Sequence, residues 1–294
     1  MRRAAAPVAR RTEHQVGSDI PFFVILAVIS ATYLVLILAM LAADAAYMMR
    51  GDSGAESAWP DAPWVLAWLL DTPIGGALAD GDIQYSIKLT LISCTMTAIL
   101  SLWVAVPVGY LLSRHQFLGK NLIDAILDIP IVLPPLVVGL SLLILFQYLP
   151  VVVREAVVYQ IPAVILAQFM VACAFAVRIM RATFDQIDAR REQVALTLGC
   201  TRAQAFGRVV LPETKRGVLT AGTLAWARSL GEFGPLLVFA GATRGKTEVL
   251  STTVFLELSI GDLEAAVAVS LIMVFAAIVV LVIARLWGSR SLTL

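Results

Sequence analysis

Charge is scarce in this chain. Only 15% of its 294 residues are Asp, Glu, Lys or Arg, and 60% are hydrophobic, whereas a soluble domain carries about a quarter charged residues. The net charge of +1 offers no bulk basicity for binding nucleic acid. Cysteine is equally sparse: Cys94, Cys173 and Cys200 are odd in number, lack CxxC spacing, and two of them fall in apolar runs. That pattern argues against a disulfide framework and against a zinc site. His14 and His115 stand far apart, so no metal motif forms and no cofactor is expected. There is no GxxxxGK[ST] loop to cradle phosphates, no HExxH, no GxSxG and no pair of intramembrane aspartates. The chain therefore has no nucleotide site or enzyme signature of its own. Internal repeats and low-complexity segments are missing too.

What the chain has is long uncharged runs. Crossing a bilayer takes about 20 consecutive apolar residues. Residues 20–43, 89–113, 129–153 and 156–177 meet that length without a charge, and residues 265–284 close the series. A sixth run, residues 217–242, is interrupted by Arg228, Glu232, Gly231, Gly234 and Pro235. The expected fold class is all-α: a polytopic membrane protein with six transmembrane helices. The first run exceeds the apolar core of about 7–15 residues in a secretory signal, so it reads as a retained span. Pro130, Pro134, Pro135 and Pro150 lie in the third run, where proline bends a span if neighbours satisfy the freed carbonyl.

The organisation expected is a tail over residues 1–19, a first span at 20–43, and an acidic loop at 44–84. A core of five further spans follows over 85–288, with a polar loop at 185–213, and a tail at 289–294. The acidic loop holds Trp59, Trp64 and Trp68, which suit the headgroup level; they fit either an interfacial anchor or a contact for an external partner. Of the 22 Lys and Arg, sixteen fall in the ends and loops assigned to one side and five to the other, with Arg228 inside a run. By the positive-inside rule both termini and the polar loop face the cytoplasm.

That polar loop, residues 190–212, reads as two short helices broken by a turn. Gly199 suits a left-handed position closing the first. Thr201 and Gln204 have capping-box spacing for the second, and Pro212 is expected to end it. Val194, Ala195, Leu198, Ala203 and Phe206 offer apolar contact among Arg190, Arg191, Glu192 and Arg202, as an amphipathic helix does in a groove. A solvated loop folded on the membrane surface is the plainer alternative.

Glu192-Gln193-Val194-Ala195, then Gly199, then Leu211-Pro212 resembles the EAA loop of the membrane subunit of prokaryotic ABC importers. In that family the loop docks into the ATPase subunit, which implies that role for Glu192, Gln193, Val194, Ala195, Gly199, Thr201, Phe206, Leu211 and Pro212. One departure is Val194, where the motif has a smaller alanine.

Arg228 and Glu232 stand at i and i+4, within reach on one helix face. Charges inside a span face the bundle interior or water and usually pair. They fit a structural pair, or a place beside the pathway where Gly231 and Gly234 allow a gating bend. The stretch from Arg228 to Gly234 is similar to the permeases of molybdate, tungstate and sulfate importers, as are Leu133-Pro134-Pro135-Leu136-Val137-Val138-Gly139 and the stretch from Val177 to Phe184. This resemblance implies a type I importer half in the prokaryotic inner membrane, without its own ATP hydrolysis. Its implied partners are two copies of an ABC ATPase subunit, a second permease (a copy of itself or a relative), an extracytoplasmic substrate-binding protein and membrane lipid. The acidic external loop, with Asp44, Asp61 and Asp71, would belong to the binding protein's docking surface. Phosphate, amino-acid or polyamine permeases, and a secondary transporter, are the competing readings.

Overall fold

The computed structural model describes residues 20–50 and 73–289. The expected tails, and Trp59, Trp64 and Trp68 of the acidic segment, lie outside the described residues. The chain divides into two units, residues 1–47 and 48–294. In the first, helix α1 (Ile20–Arg50) contains an apolar stretch from Val24 to Tyr47 with none of it buried. A helix apolar on all sides with no buried stripe suits lipid rather than a protein core.

The second unit opens with α2 (Pro73–Ala79) and α3 (Gly81–Arg114), the latter capped by the Asp80 side chain, which accepts from the Asp82 N–H. Pro107 lies inside α3 without ending it. The third uncharged run is not one continuous helix. It is α4 (Lys120–Val132) and α5 (Pro135–Gln147), 111° apart. Proline pushes the residue before it into extended backbone. Leu133 precedes Pro134 and Pro134 precedes Pro135, so two successive residues take ψ of 142° and 132° and the helix must restart. Arg154 and Glu155, between the third and fourth uncharged runs, lie within the short helix α6 (Val151–Val157).

Helix α7 (Ile161–Asp185) then returns through the bundle. The polar loop follows, and α10 (Lys215–Leu230) leads to the expected break at Gly231. A π-helical turn (Leu236–Ala240), α11 (Leu250–Ile260) and α12 (Leu263–Ser289) complete the chain. Helices α8 and α9 belong to the loop and are described below. Among the described residues four helices, α1, α3, α7 and α12, are long and apolar enough to cross a membrane, and the bent pair makes five. The expected run at residues 217–242 is divided between α10, whose 16 residues rise about 24 Å, and the π-helical turn beyond Gly231.

Helices α3, α7 and α10 form the centre of this unit. Their buried faces carry small residues: Ser86, Ser93, Thr97, Ser101, Ala105 and Gly109 on α3, and Ala163, Ala167, Ala172 and Ala176 on α7. Apolar lipid supplies no hydrophobic drive between spans, so close backbone approach has to hold them. Gly109 shows how close: a Cβ there would lie 2.9 Å from the Arg181 nitrogen and the Met180 Cβ. Gln168, buried on α7, knots the three helices. It accepts from Thr97 Oγ1 (3.2 Å) and donates to the Ser229 carbonyl (3.3 Å).

Candidate functional site

The polar loop folds as two limbs. The first is α8 (Ala189–Thr197), whose N-terminus is capped by Asp188 accepting from the Arg190 N–H at 2.9 Å. It closes with Gly199 at φ +89°. The Cys200 N–H bonds the Ala195 carbonyl (3.1 Å), and the Gly199 N–H bonds Leu196 (3.0 Å). That pair of bonds, 6→1 and 5→2 around a left-handed glycine, is a Schellman closure. The second limb starts at α9 (Arg202–Ala205), where Thr201 and Gln204 form the expected capping box. It continues through a π-helical turn (Phe206–Val210) and Leu211–Glu213. Pro212 does not end it: the chain turns at Thr214, two residues later. Pro212 falls in the first turn of a new helical segment, where its missing N–H leaves no bond unmade.

The loop has two faces. Inward lie Ala195, Ala205 and Val210, all buried, and Phe206, whose ring meets Tyr110 edge-on at 4.7 Å between centroids. Glu192 also turns inward, with a side chain 14% exposed; it accepts a short hydrogen bond from the Tyr110 hydroxyl and lies 3.7 Å from the Arg114 Nε. Outward lie Gln193, Val194, Ala203, Leu211 and Pro212, and Leu198 is 80% exposed. Val194 is 56% exposed, so the larger side chain at this position loosens nothing inside the subunit; it alters the outer face. Thr201 and Gly199 shape the corner between the limbs. Arg191 pairs with Glu213 across them at 2.6 Å, which holds its guanidinium above the ordinary arginine range.

The second group lies where α10 ends. The Arg228 guanidinium is 2.5 Å from a Glu232 carboxylate oxygen, with side-chain exposures of 30% and 1%. Neither carboxylate oxygen finds another hydrogen-bond partner among the described residues. Arg228 also sits 5.7 Å over the Phe175 ring, a cation–π distance. Gly231 has open space around its Cβ position, and its φ of −85° is ordinary. Gly234 is different: a Cβ there would lie 2.9 Å from the Leu136 nitrogen, while one at Gly139 would lie 2.7 Å from the Pro235 Cα. The two separated stretches, 133–139 and 228–234, therefore meet backbone to backbone.

Residues 105–290 match the family described as binding-protein-dependent transport system inner membrane component. The chain belongs to this permease family. The matched region holds the polar loop, both glycine contacts and the ion pair; α1 and α2 precede it. The permease is 36% identical over 155 residues to the molybdate/tungstate transport system permease protein of Pyrococcus abyssi, covering 53% of this chain and 60% of that protein. It is 33% identical to the sulfate transport system permease protein of Escherichia coli, over 69% of this chain and 76% of the relative. The molybdenum transport system permease protein of Mycobacterium tuberculosis is also 33% identical, over 74% and 82%. In fold, the permease resembles a bacterial ABC transporter involved in importing alginate, with TM-score 0.68 at 17% identity over 94% of this chain and 97% of that one. It is thus an ABC importer permease with a multi-pass, all-helical membrane fold. Sequence reasoning passed over Tyr110, Arg114 and Gln168. Glu192 lies 82 residues from Tyr110, and no spacing rule links residues that far apart.

Proposed function

We propose that this permease carries an oxyanion of the molybdate, tungstate or sulfate class, driven by ATP hydrolysed on a separate ATPase that docks on the cytosolic elbow. The observation that carries the docking is the elbow's outer face. Gln193, Val194, Leu198, Ala203, Leu211 and Pro212 are exposed together, while the inner face of the same segment is anchored in the bundle. Leu198 is 80% exposed, and an exposed leucine at the corner of a pinned elbow suits a groove on a partner. The oxyanion class rests on the relatives reported above. Two ATPases, a second permease copy, an extracytoplasmic binding protein and cytoplasmic termini complete the proposed assembly. Closure of the ATPases on ATP would draw two such elbows together and open the spans outward; hydrolysis would reset them. Arg228, with a side chain 30% exposed and its guanidinium over Phe175, is the candidate contact for the anion, and Glu232 its fixed counter-ion.

Leu198→Asp tests the docking. At a site this exposed the isolated permease should keep its stability within about 0.5 kcal/mol. ATPase retention on co-purification should fall by about 30-fold, the worth of an interface anchor of about 2 kcal/mol. Gly199→Val should act alike by another route. Nothing stands within 4 Å of its Cβ position, yet a side chain at φ +89° costs about 1–2 kcal/mol and would re-aim the corner. Full ATPase retention by both variants would refute the docking. A titration of the binding protein with molybdate, tungstate, sulfate and phosphate then assigns the anion.

A further inference from the structure

The elbow meets the membrane helices through more than its two chain ends. Tyr110 of α3 touches three separate pieces at once. Its ring packs edge-on against Phe184 at the end of α7 (5.6 Å) and Phe206 in the second limb (4.7 Å), and its hydroxyl donates to Glu192 in the first limb. One turn further, Arg114 donates to the Ile187 carbonyl at 2.9 Å, and Ser113 donates to Asp185 at 2.6 Å. The other cross-limb contact, Arg191 with Glu213, has an arginine side chain 62% exposed, so solvent screens it and it contributes little. The Glu192 bond is better shielded, with a side chain 14% exposed, and bonds to a carboxyl group are among the stronger hydrogen bonds.

We infer that Tyr110 and Glu192 form the joint through which movement of the cytosolic elbow passes into α3, with Tyr110 a positioning residue for transport. The inference rests on the docking proposed above. Arg114 supplies the second position of the joint. Its Nε is buried without a hydrogen bond among the described residues and faces Glu192 across 3.7 Å. Shortening that gap to the hydrogen-bond distance of about 2.9 Å would give Glu192 a second donor, and the elbow a second bonded arrangement against the same helix. Two discrete arrangements of this kind would let the contact transmit displacement rather than absorb it. Below the joint, α3 cannot slide independently of α7, because Gly109 lies directly on the Met180–Arg181 backbone.

The test uses the complete complex in liposomes and reads the stimulation of ATP hydrolysis by molybdate-loaded binding protein added outside. Tyr110→Phe keeps the ring between Phe184 and Phe206 and removes only the hydroxyl. It should co-purify with the ATPase as the wild type does and keep basal hydrolysis, while stimulation falls about tenfold, the worth of one hydrogen bond to a charged group. In stimulation alone, Glu192→Ala should fall as far as Tyr110→Phe, Glu192→Gln should restore part of the response by keeping an acceptor oxygen, and the double variant should be no worse than Glu192→Ala, since one bond can be lost only once. Wild-type stimulation in Tyr110→Phe, multiplied losses in the double variant, or loss of the ATPase on purification would each overturn the joint. The docking stands or falls separately: Leu198→Asp and Gly199→Val complexes that both assemble and respond normally remove the docking surface, whatever Tyr110 does.

Discussion

Replacing Arg228 with alanine is expected to destabilise the permease by about 3–5 kcal/mol, the cost of leaving one partner of a buried ion pair uncompensated. The partner left behind is Glu232, 1% exposed and without another hydrogen bond among the described residues. Glu232→Gln should cost less, because Arg228 keeps its place over Phe175 and its side chain is 30% exposed rather than fully buried. The order of the two variants thus follows from which charge is the more deeply buried. Arg228→Ala combined with Glu232→Gln should recover much of the stability of Arg228→Ala, since no unpaired carboxylate remains. Thermal unfolding in detergent, with uptake measured on the same preparations, separates the structural contribution from the one made to the anion. A stable Arg228→Gln/Glu232→Gln protein that no longer transports would assign the arginine to the pathway. One that transports normally would leave the pair a structural one.

Gly139→Val is expected to lower the yield of folded permease sharply, at a cost of about 3 kcal/mol or more, the upper end for overfilling a packed interior. The obstruction is backbone rather than a flexible side chain: the new Cβ would overlap the Pro235 Cα and carbonyl at 2.7 and 2.9 Å. Neither atom can move without shifting the segment that carries Glu232. Gly231→Ala is the matched control, since its Cβ position is open and its φ is ordinary; it should be close to neutral. Size-exclusion profiles and unfolding midpoints of the two variants decide the point, and equal behaviour would contradict the close contact between α5 and the 231–235 segment.

These sites differ in how far the sequence announced them. Gly199, Thr201 and Gln204 were legible because caps and left-handed turns are local: the residues that make the bonds lie within a few positions of each other. Arg228 and Glu232 were legible for the same reason, four residues apart on one helix. The break at Leu133 was half-legible. The prolines marked a disturbance, but only the doubling at Pro134-Pro135 turns a bend into the 111° separation of α4 and α5. Pro212 misled, because the π-helical turn at Phe206–Val210 lets a new helical segment begin just before it. Tyr110 was illegible. A tyrosine in an apolar run has no local partner to betray it, and its bond to Glu192 exists only because α3 and the elbow are brought together by the packing of α3 on α7. Likewise the chain of motifs at 133–139 and 228–234 could be seen as two stretches, whereas their contact depends on two glycines thinning both backbones at the same place.

The proposed elbow conveys work from a separate ATPase to the membrane helices. Reconstituting the permease in liposomes with and without its ATPase, and following entry of oxyanion delivered by the binding protein, tests it most directly. Uptake should require both the ATPase and ATP, and should fall to the leak of empty liposomes when either is withheld. Full-rate uptake by the permease alone would contradict the account.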